Sequence, residues 1–376
     1  MNQLRALELY GQSFWLDYIQ HDLIAGGTLQ ALIDKDGLKG LTSNLSIFGK
    51  AVESDSGYRS FVRALARQDL DPHTIYELLA VRDIRSVAHR LQPVHAMTSG
   101  RDGYVSLEVS PHLIGDAEET VREARRLWQT IGFPNLMVKV PATAEGIPAI
   151  RRLIGEGINV NATLIFSRTR YEQVAEAYLA GLEDLAARGG DLSKVASVAS
   201  IFVSRIDTAV DARLNALQTQ TRRRDQRALV QSLLGKVAIA NARLIYQRYR
   251  HLIASDHWRA LENQGAKPQR LLWASTRVKN PEYPDVLYVE ELIGKDTVTT
   301  LQPATADAFR NHGVAEPTLE RTPDAARQTV ETLEQLGISL EVVADRLLDE
   351  ELRRFRNVFD HLLDVIARQA RTVASV

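Results

Sequence analysis

A lysine stands in the middle of the apolar run LMVKVP (136–141). An ammonium inside a buried strand is costly unless it is paired or loses its proton. Lys139 is therefore the first residue whose type and position point to chemistry. It has company. Period-2 spacing puts polar side chains on one face of several other short β-rich runs, in their later halves. Asp17 shares a face with Trp15, and Asn44 ends KGLTSN. Ser106, Glu108 and Ser110 share a face of YVSLEVS, and Asn159, Asn161 and Thr163 share one in NVNATLIF. Ser200 lies in SVASIFV with Ser204 and Arg205 just beyond, and Ser275 and Arg277 close RLLWAST. Together they predict a polar pocket with two carboxylates, one lysine and two arginines. A neutral amine in such a pocket can attack a carbonyl and form a Schiff base. Desolvation and nearby cations favour the neutral form, and the flanking Val138 and Val140 are expected to contribute. A lysine carrying pyridoxal phosphate is the rival reading, although nothing else in the sequence asks for that cofactor.

Each residue also has an ordinary explanation. A strand lysine can snorkel outward, Glu108 can serve as its ion-pair partner, and Asp17 can cap or pair. Asn161 and Thr163 can satisfy neighbouring barrel side chains. Arg205 and Arg277 read singly as surface residues, and single serines such as Ser200 and Ser275 carry little weight. Recurrence is what sets them apart: seven consecutive runs carry polar residues in or just beyond their later halves.

The elements that must position these residues are legible as eight candidate strands, at 14–19, 39–44, 104–110, 136–141, 159–166, 197–203, 270–276 and 296–302. Helical patterns lie between most of them. DAEETVREARRLWQTIG (116–132) has acids in its first turn, bases later and a terminal glycine, as a helix dipole favours. SRTRYEQVAEAYLAGLEDLAARGG (167–190) opens on a serine cap and closes on glycines. Strand–helix alternation predicts parallel βαβ units, and eight of them predict an α/β fold of the (β/α)8 TIM-barrel type, with its chemistry at the C-terminal strand ends. An open doubly wound sheet is the alternative. Its nucleotide-binding form is disfavoured because no GxGxxG loop follows any run. The span 45–103 reads as helical, most clearly at 76–91, and two further helices follow at 322–337 and 339–371. These are expected to pack on the barrel, making residues 1–376 one domain with a mainly helical C-terminal extension at 303–376.

Composition removes whole classes of function. The chain has 376 residues and a formal net charge of −1, so no global field recruits nucleic acid or an anionic membrane. It has no cysteine, which excludes disulfides, thiolate nucleophiles and cysteine-ligated metals and is compatible with a cytoplasmic location. The nine histidines show no HExxH spacing, and no GxSxG elbow supports a serine hydrolase. The N-terminus does not read as a signal peptide, and no run is long enough to span a bilayer. TRRRDQR (221–227) lacks interleaved aromatics and reads as a solvated loop or helix start.

With these residues in view, the sequence resembles the transaldolase family over nearly its whole length, closest to the longer bacterial branch. The resemblance is carried by DGLKGLTSNLSIF (36–48), YVSLEVSP (104–111), LMVKVPAT (136–143), GINVNATLIFS (157–167), SVASIFVSRID (197–207), WASTRVKNPEYPD (273–285) and YVEELIGKDTV (288–298). It implies a class I aldolase barrel with no metal or organic cofactor. Lys139 would form the Schiff base, and Asp17 would move the C4 hydroxyl proton. Glu108 would act through a water held by Thr163. Asn44 and Asn161 would hold hydroxyls of the three-carbon unit, and Ser200 and Phe202 would line the site. Arg205, Ser275 and Arg277 would bind the substrate phosphate. The implied activity transfers a dihydroxyacetone unit between sugar phosphates in the non-oxidative pentose phosphate pathway, by a monomer or homodimer. The alternatives are an aldolase or specialised paralogue of the same fold acting on another sugar phosphate, and a non-catalytic barrel scaffold. Three departures from the family pattern stand out: Leu45 where proline usually follows the asparagine, Ile201 where relatives carry proline or an aromatic, and a longer, arginine-rich 216–235.

Overall fold

Runs rich in Val, Ile, Leu and Thr, buried on both faces, suit parallel strands covered by helices. The computed structural model describes residues 2–374 and realises the runs as β1 (Gln12–Leu16), β2 (Gly40–Thr42), β3 (Tyr104–Glu108), β4 (Leu136–Pro141), β5 (Val160–Ile165), β6 (Ser197–Phe202), β7 (Arg270–Ala274) and β8 (Thr297–Leu301). All pair in parallel and in sequence order, and β8 closes on β1. The barrel is the predicted one, and the open sheet is ruled out.

Alternation sorts the strand residues into two cores. Outward-facing Val138, Val140, Val160 and Leu271 join the helices in the main core. Inward-facing Trp15, Tyr104, Met137, Val198, Leu272 and Val298 fill the barrel. Gly40 is required by this filling, because a Cβ there would sit 2.6 Å from the Trp15 indole. Below that layer, Arg270 and Asp102 form a fully buried pair at 2.7 Å. Ser13 bonds to both, and the Trp15 indole and the Arg101 carbonyl supply further partners. Burial pushes the Asp102 carboxyl up, but the charge and hydrogen bonds of Arg270, with Ser13 and Trp15, hold it below the usual range. The lower end of the barrel thus carries a satisfied polar plug, and in barrels of this kind chemistry sits at the opposite, C-terminal strand ends.

The helix signals hold. Asp116 caps Ala117–Ile131 through the amides of Glu118 and Glu119, and Gly132 ends that helix at φ 67°. Ser167 caps Arg168–Ala187. The span 45–103 becomes Leu45–Ser54, Ser56–Ala66 and Pro72–Met97, and the last two predicted helices are Pro323–Gln335 and Leu340–Ala374. The C-terminal helix packs Phe359, Leu362 and Ile366 against Leu45, Phe48, Val52 and Leu79 in a second core beside the barrel mouth. The arginine-rich stretch is an exposed turn and helix start, with Arg223 paired to Asp225 at 2.6 Å. No single helix among the described residues is long and apolar enough to cross a membrane.

Several strand ends differ from expectation: the third and seventh strands stop two residues early, at Glu108 and Ala274, which leaves Ser110 and Ser275 just beyond them, and the first two differ in ways that matter for the site. The first strand was expected at 14–19 but is Gln12–Leu16, because its ladder with β8 ends at Leu16 opposite Leu301. Asp17 lies one residue beyond it, anchored by its amide to the Leu301 carbonyl at 2.8 Å. The second strand stops at Thr42 rather than 44, because Asn44 turns to cap the Leu45–Ser54 helix and accepts from the Ser46 amide.

Candidate active site

Strand register decides which polar side chains meet. Glu108 is level with Lys139, and Lys139 is level with Asn161. Lys139 donates to Glu108 Oε1 at 2.7 Å and, more weakly, to the Ser43 carbonyl at 3.3 Å. The pair is largely shielded, with side-chain exposures of 11% and 8%. Burial raises the Glu108 carboxyl above its usual range, and nearby Asp17 adds to this against the pull of Lys139. A carboxylate so placed is a better proton acceptor for the adjacent ammonium. Val138 and Val140 do not contribute as expected. They point outward into the main core, on the other face of β4 from Lys139.

Asp17 is held by two donors from β2 and its following turn. Thr42 donates to Oδ1 at 2.8 Å, and Asn44 donates to Oδ2 at 3.0 Å. Thr42 in turn lies 3.0 Å from Thr300 on β8. This collar fixes the carboxylate beyond the end of its own strand. Leu45, standing in place of the usual proline, leaves Asn44 tied on both sides, to Asp17 and to the Ser46 amide. A second chain crosses the floor: Ser200 donates to Asn161 Oδ1 at 2.6 Å, and Asn161 donates to Ser106 at 3.0 Å. Phe202 packs against Phe166 with the rings tilted by 52° and their centroids 5.3 Å apart.

Thr163 lies on β5, beside Leu164, a non-glycine residue at φ 59° where the β5–β6 register shifts. Such a bulge re-aims side chains at the end of a strand. Thr163 Oγ1 and Glu108 Oε2 are both buried without a partner among the described residues, on the two strands that flank Lys139. Asn159, on the same face in sequence, serves structure instead, with its side chain bonded to Pro134, Leu136 and Ala196.

Around the rim, Ser275 (φ 54°) lies 3.1 Å from Ser204, and Arg205 stands at the start of the Ser204–Gln220 helix. Arg277 is exposed. Two neighbours were not singled out in sequence. Lys279 donates to Ser204 at 2.5 Å and Ser275 at 3.3 Å. Glu351, from the C-terminal helix, binds Arg205 at 2.6 Å. Thr42 and Thr300 were also missed, although both sit at inward-facing positions that period-2 counting would have found. No local signal marks Glu351. A cavity of about 140 Å³ lined by Gly100, Met137, Lys267 and Arg270 lies at the opposite pole and includes none of the candidate residues.

The loop that carries Arg277 and Lys279 is stapled to the Arg205 helix. Tyr288 donates to Asp207, and Tyr283 donates to Asp211. Burial raises the Asp207 carboxyl to about 7, with Asp211 adding to it against the Ala238 and Tyr288 hydrogen bonds. The folded chain therefore holds that proton more tightly than the unfolded chain. The contribution is complete below about pH 4 and is lost as pH rises through about 7. The unfolding free energy is expected to fall over that window by up to about 1.4 kcal/mol per pH unit from this proton, and the melting temperature to fall with it. In Asp207→Asn that component should vanish in thermal melts at stepped pH. A slope identical to that of the unmodified chain would exclude Asp207 as its source.

A family model described as Transaldolase/Fructose-6-phosphate aldolase matches residues 14–366. The chain is 42% identical to the transaldolase of Trichodesmium erythraeum, covering 100% of this chain and 99% of that one. It is 45% identical to the transaldolase of Thermobifida fusca over 97% of this chain and 98% of the relative. It is 44% identical to that of Thiobacillus denitrificans over 96% and 99%.

Proposed function

The chain belongs to the transaldolase/fructose-6-phosphate aldolase family and has transaldolase activity, and from that premise we propose that Lys139 carries a dihydroxyacetone unit from a ketose phosphate to an aldose phosphate. The donor is sedoheptulose 7-phosphate or fructose 6-phosphate, and the acceptor is glyceraldehyde 3-phosphate or erythrose 4-phosphate, as in the non-oxidative pentose phosphate pathway. The observation that carries the assignment is the shielded Lys139–Glu108 pair at 2.7 Å, on the same inner face as a separately anchored Asp17. One carboxylate is in contact with the amine. The other is held away from it, so the two can take different protons.

Glu108 accepts a proton from the Lys139 ammonium, and the free amine attacks the C2 carbonyl. The carbonyl oxygen is protonated and leaves as water, with Glu108 returning a proton through a water shared with Thr163. The two buried oxygens without protein partners support that bridge. The resulting protonated imine draws in the C3–C4 bonding pair as Asp17 removes the C4 hydroxyl proton. An aldose phosphate departs, and a neutral enamine stays on Lys139. An acceptor aldehyde then takes the enamine carbon, Asp17 returns the proton, and water hydrolyses the imine. Asn44 and Asn161 hold the hydroxyls of the three-carbon unit, while Ser200 and Phe202 line it. Arg205, Ser275 and Arg277 bind the phosphate, for which a guanidinium fork is well shaped. The proposal places the enzyme in the cytoplasm, as a monomer or homodimer.

Incubation with fructose 6-phosphate followed by borohydride reduction is expected to leave a three-carbon adduct on Lys139, located by peptide mass spectrometry. An unmodified Lys139 in an enzyme that turns over would refute the mechanism. Sustained release of glyceraldehyde 3-phosphate should require erythrose 4-phosphate. Sustained release without an acceptor would identify an aldolase that frees dihydroxyacetone instead.

A further inference from the structure

At the rim, Arg205 is already engaged by a carboxylate from a distant part of the chain. Its Nη1 binds Glu351 at 2.6 Å, with side-chain exposures of 21% and 12%, while its Nε is buried without a partner among the described residues. Arg354, on the same helix, lies 4.0 Å from Glu351. The other carboxylate nearby, Glu350, is bound to Arg346 at 2.8 Å. Arg205, Lys279 and Arg354 therefore act on Glu351, with Arg277 beside Lys279 and Glu350 the second carboxylate in range, and the corner has an excess of positive charge. The Lys279 ammonium rests on the hydroxyls of Ser204 and Ser275. Lys279 as a whole is exposed, but its ammonium is seated against those hydroxyls, and burial there, with Arg205 and Arg277 beside it, lowers its pKa. A cation crowded by like charges is favoured by an arriving anion.

We propose that Lys279 and Glu351 complete the phosphate subsite, Lys279 as a further cation that binds the substrate phosphate and Glu351 as an internal anion that holds Arg205 until the phosphate displaces it. The inference rests on the reading of Arg205, Ser275 and Arg277 as the phosphate seat. Carboxylate and phosphate accept from the same guanidinium fork, so they compete for Arg205. Without Glu351 the free enzyme would hold a half-buried guanidinium unpaired, which destabilises a fold. With it, an unphosphorylated sugar leaves the pair intact, and only an anion of higher charge density takes Arg205 over. Glu351 is thus a positioning and specificity residue, and Lys279 a binding residue.

The probes are fructose 6-phosphate and inorganic phosphate, used with the full chain. In Glu351→Gln, the KM for fructose 6-phosphate and the inhibition constant for inorganic phosphate are expected to fall together by about tenfold, the scale of one charge-assisted contact. The effect should appear in KM rather than kcat. In Lys279→Met both should rise by about tenfold. Arg277→Ala reports on the seat itself. If it leaves both constants unchanged, the seat is misplaced and both readings fall. If it raises both while Glu351→Gln leaves them unchanged or raises them, the displacement role alone is overturned. Unchanged constants in Lys279→Met remove Lys279 from the subsite. Should Glu351→Gln not fold, Glu351→Asp withdraws the carboxylate by one methylene and is expected to lower the phosphate inhibition constant. An unchanged constant in that variant also overturns the proposal.

Discussion

Lys139→Met is expected to abolish transfer, lowering kcat by ~10⁶-fold, the scale on which removal of a covalent nucleophile acts. Methionine matches the lysine stem in length and apolarity, so the β4 backbone and its register with β3 and β5 should survive. Among the described residues no other amine contacts Glu108, and no adduct should form on borohydride reduction. The variant also exposes what the ion pair does for the fold. Glu108 is buried and already raised by burial. Without Lys139 its carboxyl is expected to rise further and to stay protonated to higher pH. The stabilisation this proton supplies is complete below the carboxyl's unfolded value and is lost as pH rises through the folded one. Thermal melts of Lys139→Met should therefore fall more steeply with rising pH than those of the unmodified chain. Adding Glu108→Gln should remove that slope without restoring activity. Measurable transfer by Lys139→Met would contradict the assignment of the nucleophile.

Asp17→Asn is expected to lower kcat by ~10²–10⁴-fold, the range for loss of a general base, while leaving the Schiff base free to form. The separation of the carboxylates makes this prediction specific. Glu108 contacts Lys139, whereas Asp17 is held by Thr42 and Asn44 from β2 and its turn. An asparagine keeps the shape of the side chain but cannot take the C4 hydroxyl proton. The imine should then accumulate with the C3–C4 bond intact. Borohydride should trap the whole ketose phosphate on Lys139 instead of a three-carbon fragment, and the mass difference separates the two outcomes without ambiguity. A three-carbon adduct formed at the normal rate would mean that another group takes the proton.

These predictions rest on features of unequal visibility. The eight strands were legible because parallel barrel strands are short, apolar and spaced by helices with clear caps, such as Asp116 and Ser167. Lys139, Glu108 and Asn161 were legible because period 2 puts them on one face, and that face had to be the barrel interior. Val138 and Val140 were misjudged as neighbours of the ammonium by the reverse error: adjacency in sequence along a strand means opposite faces in space. Asp17 and Asn44 were found although the strands expected to carry them end earlier. What fixes both residues is a hydrogen-bonded collar beyond the strand ends, built with Thr42 and supported by Thr300, which register alone brings close.

The amino-acid sequence by itself determined the barrel, the lysine within it and the set of polar residues at the strand ends, because these follow from local periodicity and from the cost of burying charge. The tertiary structure alone decided which carboxylate touches the lysine, since that depends on Glu108 and Lys139 being level across two strands. It alone brought Glu351 from the C-terminal helix onto Arg205 and Lys279 onto Ser204 and Ser275. Such contacts depend on how a long helix seats over the barrel mouth, and that seating is set by the packing of Phe359, Leu362 and Ile366 against the helices of 45–103. Packing of that kind sums many weak contacts over distant parts of the chain and leaves no mark in any short stretch of sequence.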